Sequence, residues 1–177
     1  MVASSGQCAR CVIQGPIFDG VAWEFEYGGV IADAIASLKF RRQTDIARRF
    51  SACSTLPAGT WDVLVPVPLH ASRLRMRGYN QSALLAGHLG RRHGLPVEVR
   101  CLSRSSRTAP QRELSFVARQ NNVKGAFDLR DRPSVNGKRI VLIDDVMTTG
   151  ATLSECARIL RRGGAAAVGA WTVARRQ

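Results

Sequence analysis

The apolar positions of this 177-residue chain change their spacing several times, and the changes predict strands that alternate with helices. Short unbroken apolar runs rich in β-branched residues are typical of strands covered on both faces, whereas apolar residues three or four positions apart predict amphipathic helices. The predicted strands cover residues 61–68, 97–102, 140–143 and 167–174. The predicted helices cover residues 31–38, 46–50, 80–93 and 153–162.

This alternation predicts a single α/β domain with a mainly parallel sheet flanked by helices, because parallel strands are usually joined by a right-handed helical crossover. Two segments lack the pattern. Residues 1–20 are loop-like and carry Cys8 and Cys11. Residues 103–122 are polar and unusually long for a connection, which favours a functional lid that closes over a ligand.

The composition is that of a soluble globular protein, with 45% hydrophobic and 22% charged residues. The first 20 residues lack the apolar stretch of a signal peptide, and no run of about 18 apolar residues predicts a membrane span. We therefore expect a cytoplasmic protein without membrane insertion. Five mostly scattered cysteines argue against a disulfide framework there, and we expect Cys101 and Cys156 in the core.

The charge is unusual, with a formal net value of +13 and a pI near 11.1. Only Lys39, Lys124 and Lys138 of the 26 basic residues are lysine, and the others are arginine. Arginine binds phosphate through a bidentate fork, so the excess suits phosphorylated small molecules, pyrophosphate or a nucleic-acid backbone. Genomic base composition and solvated helix faces are alternative explanations that the charge alone leaves open.

The segment 140–152 carries the clearest chemical signal, because four apolar residues run into Asp144 and Asp145 and then into a small-residue loop. Two ionised carboxylates cannot extend a strand into an apolar core, so they should lie at its carboxyl end, where open α/β sheets bind ligands. In the loop, Gly150 allows a tight turn, and hydroxyls and N–H groups at the next helix start favour an anion. Ordinary strand–turn–helix connections share any two of these features, but all of them in register predict a sugar-phosphate site.

This segment resembles the phosphoribosyl pyrophosphate (PRPP) motif of type I phosphoribosyltransferases, which has four apolar residues, two acids and a Thr-Thr-Gly-x-Thr loop. The resemblance implies that the protein binds PRPP with Mg²⁺ and that Asp144 and Asp145 hold the ribose 2′ and 3′ hydroxyls. It assigns the 5′-phosphate to the loop residues Thr148, Thr149, Gly150, Ala151 and Thr152.

Two further segments extend the resemblance to pyrophosphate binding. In type I phosphoribosyltransferases the turn after an earlier strand contacts pyrophosphate, which here implies Pro66, Val67 and Pro68, with Arg77 as an anion contact. Arg73 and Arg75 lie nearby and are equally explained as exposed loop residues. The lid segment supplies Arg104, Arg107, Gln111 and Arg119.

Three separated motifs resemble the ComF family of competence proteins, bacterial relatives of the amidophosphoribosyltransferase catalytic domain. They are Pro-Val-Pro-Leu…Arg-Gly-Tyr-Asn-Gln at 66–81, Thr-x-x-Gln-x-x-Leu-Ser-x-x-x-Arg-x-x-Asn-Val at 108–123, and the PRPP loop. The resemblance covers about residues 25–175 and implies the type I phosphoribosyltransferase fold with a small N-terminal hood. We divide the chain into a Cys-rich remnant, 1–24, and a phosphoribosyltransferase-like domain, 25–177.

Family members begin with a zinc-binding segment of several Cys-x-x-Cys pairs, whereas this sequence has only Cys8 and Cys11. A structural zinc site needs four ligands. Either the pair is an empty remnant, or zinc is held with the help of Cys53, a histidine, another subunit or residues upstream of the sequence.

The resemblance implies transfer of a 5-phosphoribosyl group to an unidentified nucleophile, in a protein linked to DNA uptake. The competing hypothesis is a non-catalytic competence factor that binds single-stranded DNA and retains a PRPP pocket. It would use arginines for phosphates and aromatic residues for base stacking. The candidates are Arg41, Arg42, Arg48, Arg49, Arg91 and Arg92, and Trp23, Phe25, Tyr27 and Tyr79. The sequence names no acceptor and leaves the oligomeric state, a homodimer included, open.

Overall fold

The computed structural model describes residues 17–105, 123 and 125–176. A parallel sheet of four strands, in the order β1-β6-β5-β2, forms its centre. These strands are β1 (Gly20–Glu26), β2 (Val63–Pro66), β5 (Arg139–Met147) and β6 (Ala167–Arg175). A separate antiparallel pair joins β3 (Leu102–Arg104) to β4 (Phe127–Leu129).

Five helices lie in the described part of the chain. They are α1 (Gly29–Phe40), α2 (Asp45–Ala52), α3 (Ala71–Arg77), α4 (Gln81–His93) and α5 (Ala151–Arg162). None of these helices is long and apolar enough to cross a membrane. The expected parallel sheet flanked by helices is therefore confirmed.

Alternating residues of β5 face two different cores. Val141 and Ile143 pack with α1, α2 and α4, which carry Leu38, Phe50 and Leu85. On the other face, Ile140 and Leu142 pack with α5 and with the β3–β4 pair; the residues from those elements include Leu102, Phe127, Leu153 and Cys156. Because β5 is covered on both faces, its apolar run is continuous, as expected for a central parallel strand.

This arrangement makes the end of β5 the natural place for a ligand. The chain leaves β2 through α4 on one face of the sheet and leaves β5 through α5 on the other. Connections that diverge to opposite faces open a crevice at the carboxyl ends of the strands. The two acids of the sequence motif lie in that crevice.

Three elements differ from the sequence prediction. The predicted strand 97–102 is wrong: Val97 forms only an isolated bridge to Leu64, and the strand begins at Leu102. Strand β1 was not predicted, because Glu24 interrupts its apolar run; the carboxylate is accommodated by accepting hydrogen bonds from the Trp171 Nε1 and the Thr55 amide, each 2.9 Å long. Strand β1 also crosses the predicted boundary between residues 24 and 25.

Helix α3 replaces the loop expected around Arg73 and Arg75. None of its residues is buried, so its sequence lacks the regular apolar spacing that predicts an amphipathic helix. Its N-terminus is capped by His70, whose Nδ1 accepts a hydrogen bond of 3.2 Å from the Ser72 amide. The last turn ends at Gly78, which has a left-handed φ of 85°.

The expectation that Cys101 and Cys156 lie in the core is confirmed. Cys101 and Cys156 are fully buried, and both are free thiols, as is the exposed Cys53. Burial raises the pKa of the Cys101 thiol to about 12. Such a thiol stays protonated and unreactive at neutral pH.

We predict that Gly90→Ala destabilises the protein by about 1–2 kcal/mol, because an added Cβ would lie 2.7 Å from both the Leu95 carbonyl oxygen and the Val97 Cγ2. Gly87 lies in the same helix, where a Cβ meets only Arg91 Nη1, at 3.8 Å. Gly87→Ala should therefore stabilise by about 0.5–1 kcal/mol, through helix propensity alone. Urea unfolding followed by circular dichroism measures both, and equal shifts in the two variants would contradict the close approach at Gly90.

Candidate functional site

A cavity of about 680 Å³ opens at the carboxyl ends of β2 and β5. Its walls come from the loop after β2, the end of β5, the loop before α5, and the last turns of α1 and α3. Both predicted acids and all five predicted phosphate-loop residues line it. The structure therefore brings together the groups that the sequence motif places in one segment.

The two carboxylates are held by groups from different elements. The Ser82 hydroxyl, in the first turn of α4, donates to Asp144 Oδ1 over 2.9 Å, and the Asp145 amide donates to the same oxygen over 2.9 Å. Asp145 is only 4% exposed, and its Oδ2 lies 2.7 Å from the Lys39 ammonium nitrogen at the end of α1. Each carboxylate therefore has one oxygen fixed by the protein.

Burial, followed by the neighbouring charge of Asp145, raises the pKa of Asp144 to about 7. Lys39 and the hydrogen bonds from the Asp145 amide and Ser82 oppose this rise. Two carboxylates this close in a buried site resist simultaneous ionisation. The pair can accept hydrogen bonds from hydroxyl groups, and neither carboxylate has to remove a proton.

The loop between β5 and α5 is shaped for an anion. Gly150 has a φ of 70°, in the left-handed region, and directly precedes the first turn of α5. The Thr149 hydroxyl oxygen accepts a hydrogen bond of 3.3 Å from the Ala151 amide. Because the first N–H groups and the positive end of the helix dipole lie at the cavity wall, a phosphate is favoured there.

The predicted pyrophosphate residues are only partly placed at the cavity. Val67, Pro68 and Arg77 line it, together with Leu69 and Arg73. Pro66 is instead the buried last residue of β2, paired in register with Ile143, and it is not among the residues of the cavity wall. Its role is to end the strand where the turn begins.

Arg77 is oriented before any ligand binds. Its Nη1 donates to the buried Gln81 Oε1, and its Cζ lies 5.3 Å from the centre of the Phe40 ring. Burial lowers its pKa, while the charge of Asp145 raises it in opposition. Since arginine remains protonated in proteins, Arg77 presents a fixed cation to the cavity.

Arg104 lines the same cavity from a different element than predicted. It lies in β3, together with Ser103, rather than in a loop, and its Cζ is 5.1 Å from the centre of the Phe127 ring. The other predicted loop residues, Arg107, Gln111 and Arg119, lie outside the described residues, and so do Cys8 and Cys11. Within the described ranges, no cluster of three His, Cys, Asp or Glu side chains could hold a metal ion.

Sequence reasoning missed Lys39 and Ser82, two side chains that contact the acids. Lys39 had a signal, because it lies four residues after the buried Ile35 and therefore interrupts an apolar helix face with a charge. Ser82 had none, because an ordinary N-terminal helix residue explains it equally well. Contacts across 62 residues of sequence are visible only in the fold.

The comparisons with known proteins agree with this geometry. The phosphoribosyl transferase domain family matches residues 79–177. The DNA utilization protein YhgH of Escherichia coli K12 is 36% identical over 95% of this chain and 77% of its own length. Competence protein F of Haemophilus influenzae is 33% identical over 95% of this chain and 78% of its own length.

A solved structure is also similar in part. The chain covers about a quarter of the Bacillus subtilis glutamine phosphoribosylpyrophosphate amidotransferase complexed with ADP and GMP, specifically 25% of that protein and 73% of this chain. The identity is 23% and the TM-score is 0.47.

We predict that stability falls as pH rises between about 4 and 7, because a raised Asp144 pKa means that the folded state holds this proton more tightly than the unfolded chain. This stabilisation is fully present at pH values below the Asp144 pKa of the unfolded chain. It is lost as the pH rises through the Asp144 pKa of the folded protein. Asp144→Asn keeps the shape without the charge, so it should exceed the wild type in stability at pH 8 by about 1–3 kcal/mol and by less at pH 5.

Thermal denaturation at a series of pH values measures this difference. Asp128→Asn, at an exposed position in β4, is the matched control and should follow the wild type at each pH. An Asp144→Asn difference that stays constant from pH 5 to pH 8 would contradict the assignment.

Proposed function

Because the chain belongs to the phosphoribosyl transferase domain family, and within it to the ComF competence proteins, we propose that it binds Mg²⁺–PRPP and transfers the phosphoribosyl group to an acceptor. One observation carries this proposal. The acid pair, the phosphate loop and the Arg77 guanidinium line a single cavity, although they come from segments up to 75 residues apart along the chain.

Each part of PRPP then has a site of matching chemistry. The ribose 2′ and 3′ hydroxyls donate to Asp144 and Asp145, and the 5′-phosphate binds the loop 148–152 at the start of α5. The pyrophosphate lies near Val67 and Pro68, with the cations Arg73, Arg77 and Arg104 around it. This assignment gives a role to each cation of α3 and β3 that lines the cavity, namely Arg73, Arg77 and Arg104.

Mg²⁺ is proposed to arrive with the pyrophosphate. It is usually held by one or two carboxylates, several waters and substrate phosphates, and not by an all-protein cage. Because the two carboxylates of the pair are assigned to the ribose hydroxyls, the metal would be held by pyrophosphate oxygens and water, which fits a metal that the substrate brings. When bound, the metal neutralises charge on the leaving pyrophosphate.

The chain contributes to the reaction chiefly through orientation and electrostatics. Positive charge develops on the ribose as pyrophosphate leaves, and ordered carboxylates on the hydroxyls stabilise that charge while they align the ring. Arg77, already fixed on Gln81 and Phe40, stabilises the negative leaving group without first having to be ordered.

A second candidate function, DNA binding, is supported by an arginine-rich face. The names of the relatives refer to competence and DNA utilization, and we extend this link to the present chain. Helices α2 and α4 pack together, and all six candidate arginines are exposed on or beside them. Arg48 and Arg91 both lie close enough to His88 to lower its pKa, although burial contributes more.

The surroundings of the proposed stacking residues argue against a site specific for single-stranded DNA. Phe25 packs against Phe50 with ring centroids 6.0 Å apart, and the Tyr79 hydroxyl donates to the Leu38 carbonyl oxygen. Trp23 and Tyr27 are stacked with arginines of the C-terminal segment. Since none of the four is exposed, DNA contact would be mainly electrostatic and would distinguish poorly between single strand and duplex.

We predict that Asp144→Ala combined with Asp145→Ala lowers PRPP affinity at least a hundredfold in the presence of Mg²⁺. Each hydrogen bond lost from a charged acceptor costs about 1.5–3 kcal/mol. Pyrophosphate lacks the ribose, so its affinity should be little changed by the double substitution and should fall in Arg77→Gln. Isothermal calorimetry with PRPP and with pyrophosphate measures both.

Asp62→Ala combined with Asp128→Ala, at two exposed positions, controls for loss of negative charge. Circular dichroism confirms that each variant folds. A folded acid-pair variant with wild-type PRPP affinity would refute the ribose assignment.

For DNA, we predict weak binding without strong preference between single strand and duplex, with a log–log salt slope of about −0.7 per phosphate on a single strand. Arg48→Gln with Arg92→Gln should weaken it and reduce the slope. Arg132→Gln with Arg162→Gln, exposed positions in segments that pack on the other face of the sheet, should change it less. Fluorescence anisotropy tests this, and no binding up to tens of micromolar near physiological salt would exclude the DNA function.

A further inference from the structure

We propose that Lys39 is a positioning residue that fixes the Asp145 carboxylate for the ribose of PRPP. This role rests on the function proposed above and concerns a side chain outside the sequence motif. The Lys39 ammonium nitrogen lies 2.7 Å from Asp145 Oδ2, and the two side chains are only 24% and 6% exposed. An ion pair this sheltered from water has a defined geometry, unlike a mobile surface pair.

The end of α1 is held in place so that this contact is maintained. Ile35 and Leu38 are buried in the core shared with α4, which fixes the face of the helix that carries Lys39. The Tyr79 hydroxyl donates to the Leu38 carbonyl oxygen, and Arg77 stacks on Phe40. The residues on both sides of Lys39 are thus tied to the segment between α3 and α4.

The ion pair also decides which carboxylate oxygens face the ligand. Asp144 Oδ1 accepts from Ser82 and the Asp145 amide, and Asp145 Oδ2 contacts Lys39. These contacts hold one oxygen of each acid, and we assign the other oxygen of each to the two ribose hydroxyls.

Removing the ammonium should change the charge of the pair as well as its geometry. Lys39 lowers the pKa of Asp144, against the stronger effects of burial and of Asp145. Without Lys39, the pair would hold a shared proton to higher pH, and a protonated oxygen is a poor acceptor for a ribose hydroxyl. The loss of PRPP affinity should then be largest at low pH and smaller at high pH.

Other charged and titratable groups face the pair and remain in place in a Lys39 variant. They are Arg77 from α3, Arg104 from β3 and Cys156 from α5, and Arg73 from α3 lines the same cavity. Arg42 and Arg176 also line the cavity. Because these groups are common to the wild type and the variants, the ratio of their PRPP affinities at each pH reports the contribution of Lys39. The ratio also cancels the ionisation of the ligand itself.

The test is calorimetry of Mg²⁺–PRPP and of pyrophosphate with the wild type, Lys39→Met, Lys39→Arg and Lys138→Met at pH 6.5 and 8.5. Lys39→Met preserves much of the apolar stem, Lys39→Arg preserves the charge, and Lys138→Met removes an exposed lysine outside the site. We expect Lys39→Met to weaken PRPP about tenfold or more at pH 6.5 and clearly less at pH 8.5. Lys39→Arg should restore most of the affinity, and Lys138→Met should match the wild type.

Pyrophosphate separates positioning from a direct phosphate contact. Its affinity should change less than about threefold in Lys39→Met, whereas an equal loss for both ligands would mean that Lys39 binds phosphate and would overturn the proposal. A loss of PRPP affinity that is independent of pH and not rescued by arginine would overturn it too, as would unchanged PRPP affinity. If the wild type bound no PRPP at all, the proposed function would itself fail, and the role of Lys39 with it.

Discussion

Two adjacent carboxylates at the end of a buried strand are the constraint on which the rest of this structure depends. An unpaired charge in such a place is costly, and a second one beside it is costlier still. The fold compensates with a cation from α1, a hydroxyl from α4 and a backbone amide of β5. The site therefore connects α1, α4 and β5, which are distant from one another in sequence.

The topology explains why the groups that stabilise the two acids leave the cavity open. Helices α4 and α5 leave the sheet on opposite faces, so neither covers the carboxyl end of β5. The same divergence directs the N-terminus of α5 toward the cavity, beside the acids. Anion-binding and hydroxyl-binding groups thus meet at one edge of the sheet because a single strand supplies both the acids and the entry to the helix.

The sequence predicted best what a short segment determines. Strand β5, the acids and the loop before α5 are contiguous, and an apolar run followed by charges and small residues determines their conformation locally. Strand β1 was missed because Glu24 depends on distant partners, Trp171 and Thr55. Helix α3 was missed because none of its residues is buried, so no apolar spacing marks it. Arg104 was assigned to a loop because its strand is three residues long and pairs only with β4.

The same reasoning applies to the arginines. The sequence gives their number, but which of them line the cavity depends on the fold. Five of them stack on aromatic rings, with Arg77 on Phe40, Arg104 on Phe127, Arg139 on Trp61, Arg175 on Trp23 and Arg176 on Tyr27. Three of these five, Arg77, Arg104 and Arg176, line the cavity. A guanidinium held against a ring loses little further freedom when it binds a phosphate, so these cations are preorganised for a small anionic ligand. The stacked cations at the cavity are thus preorganised, whereas the arginines on α2 and α4 are exposed to solvent.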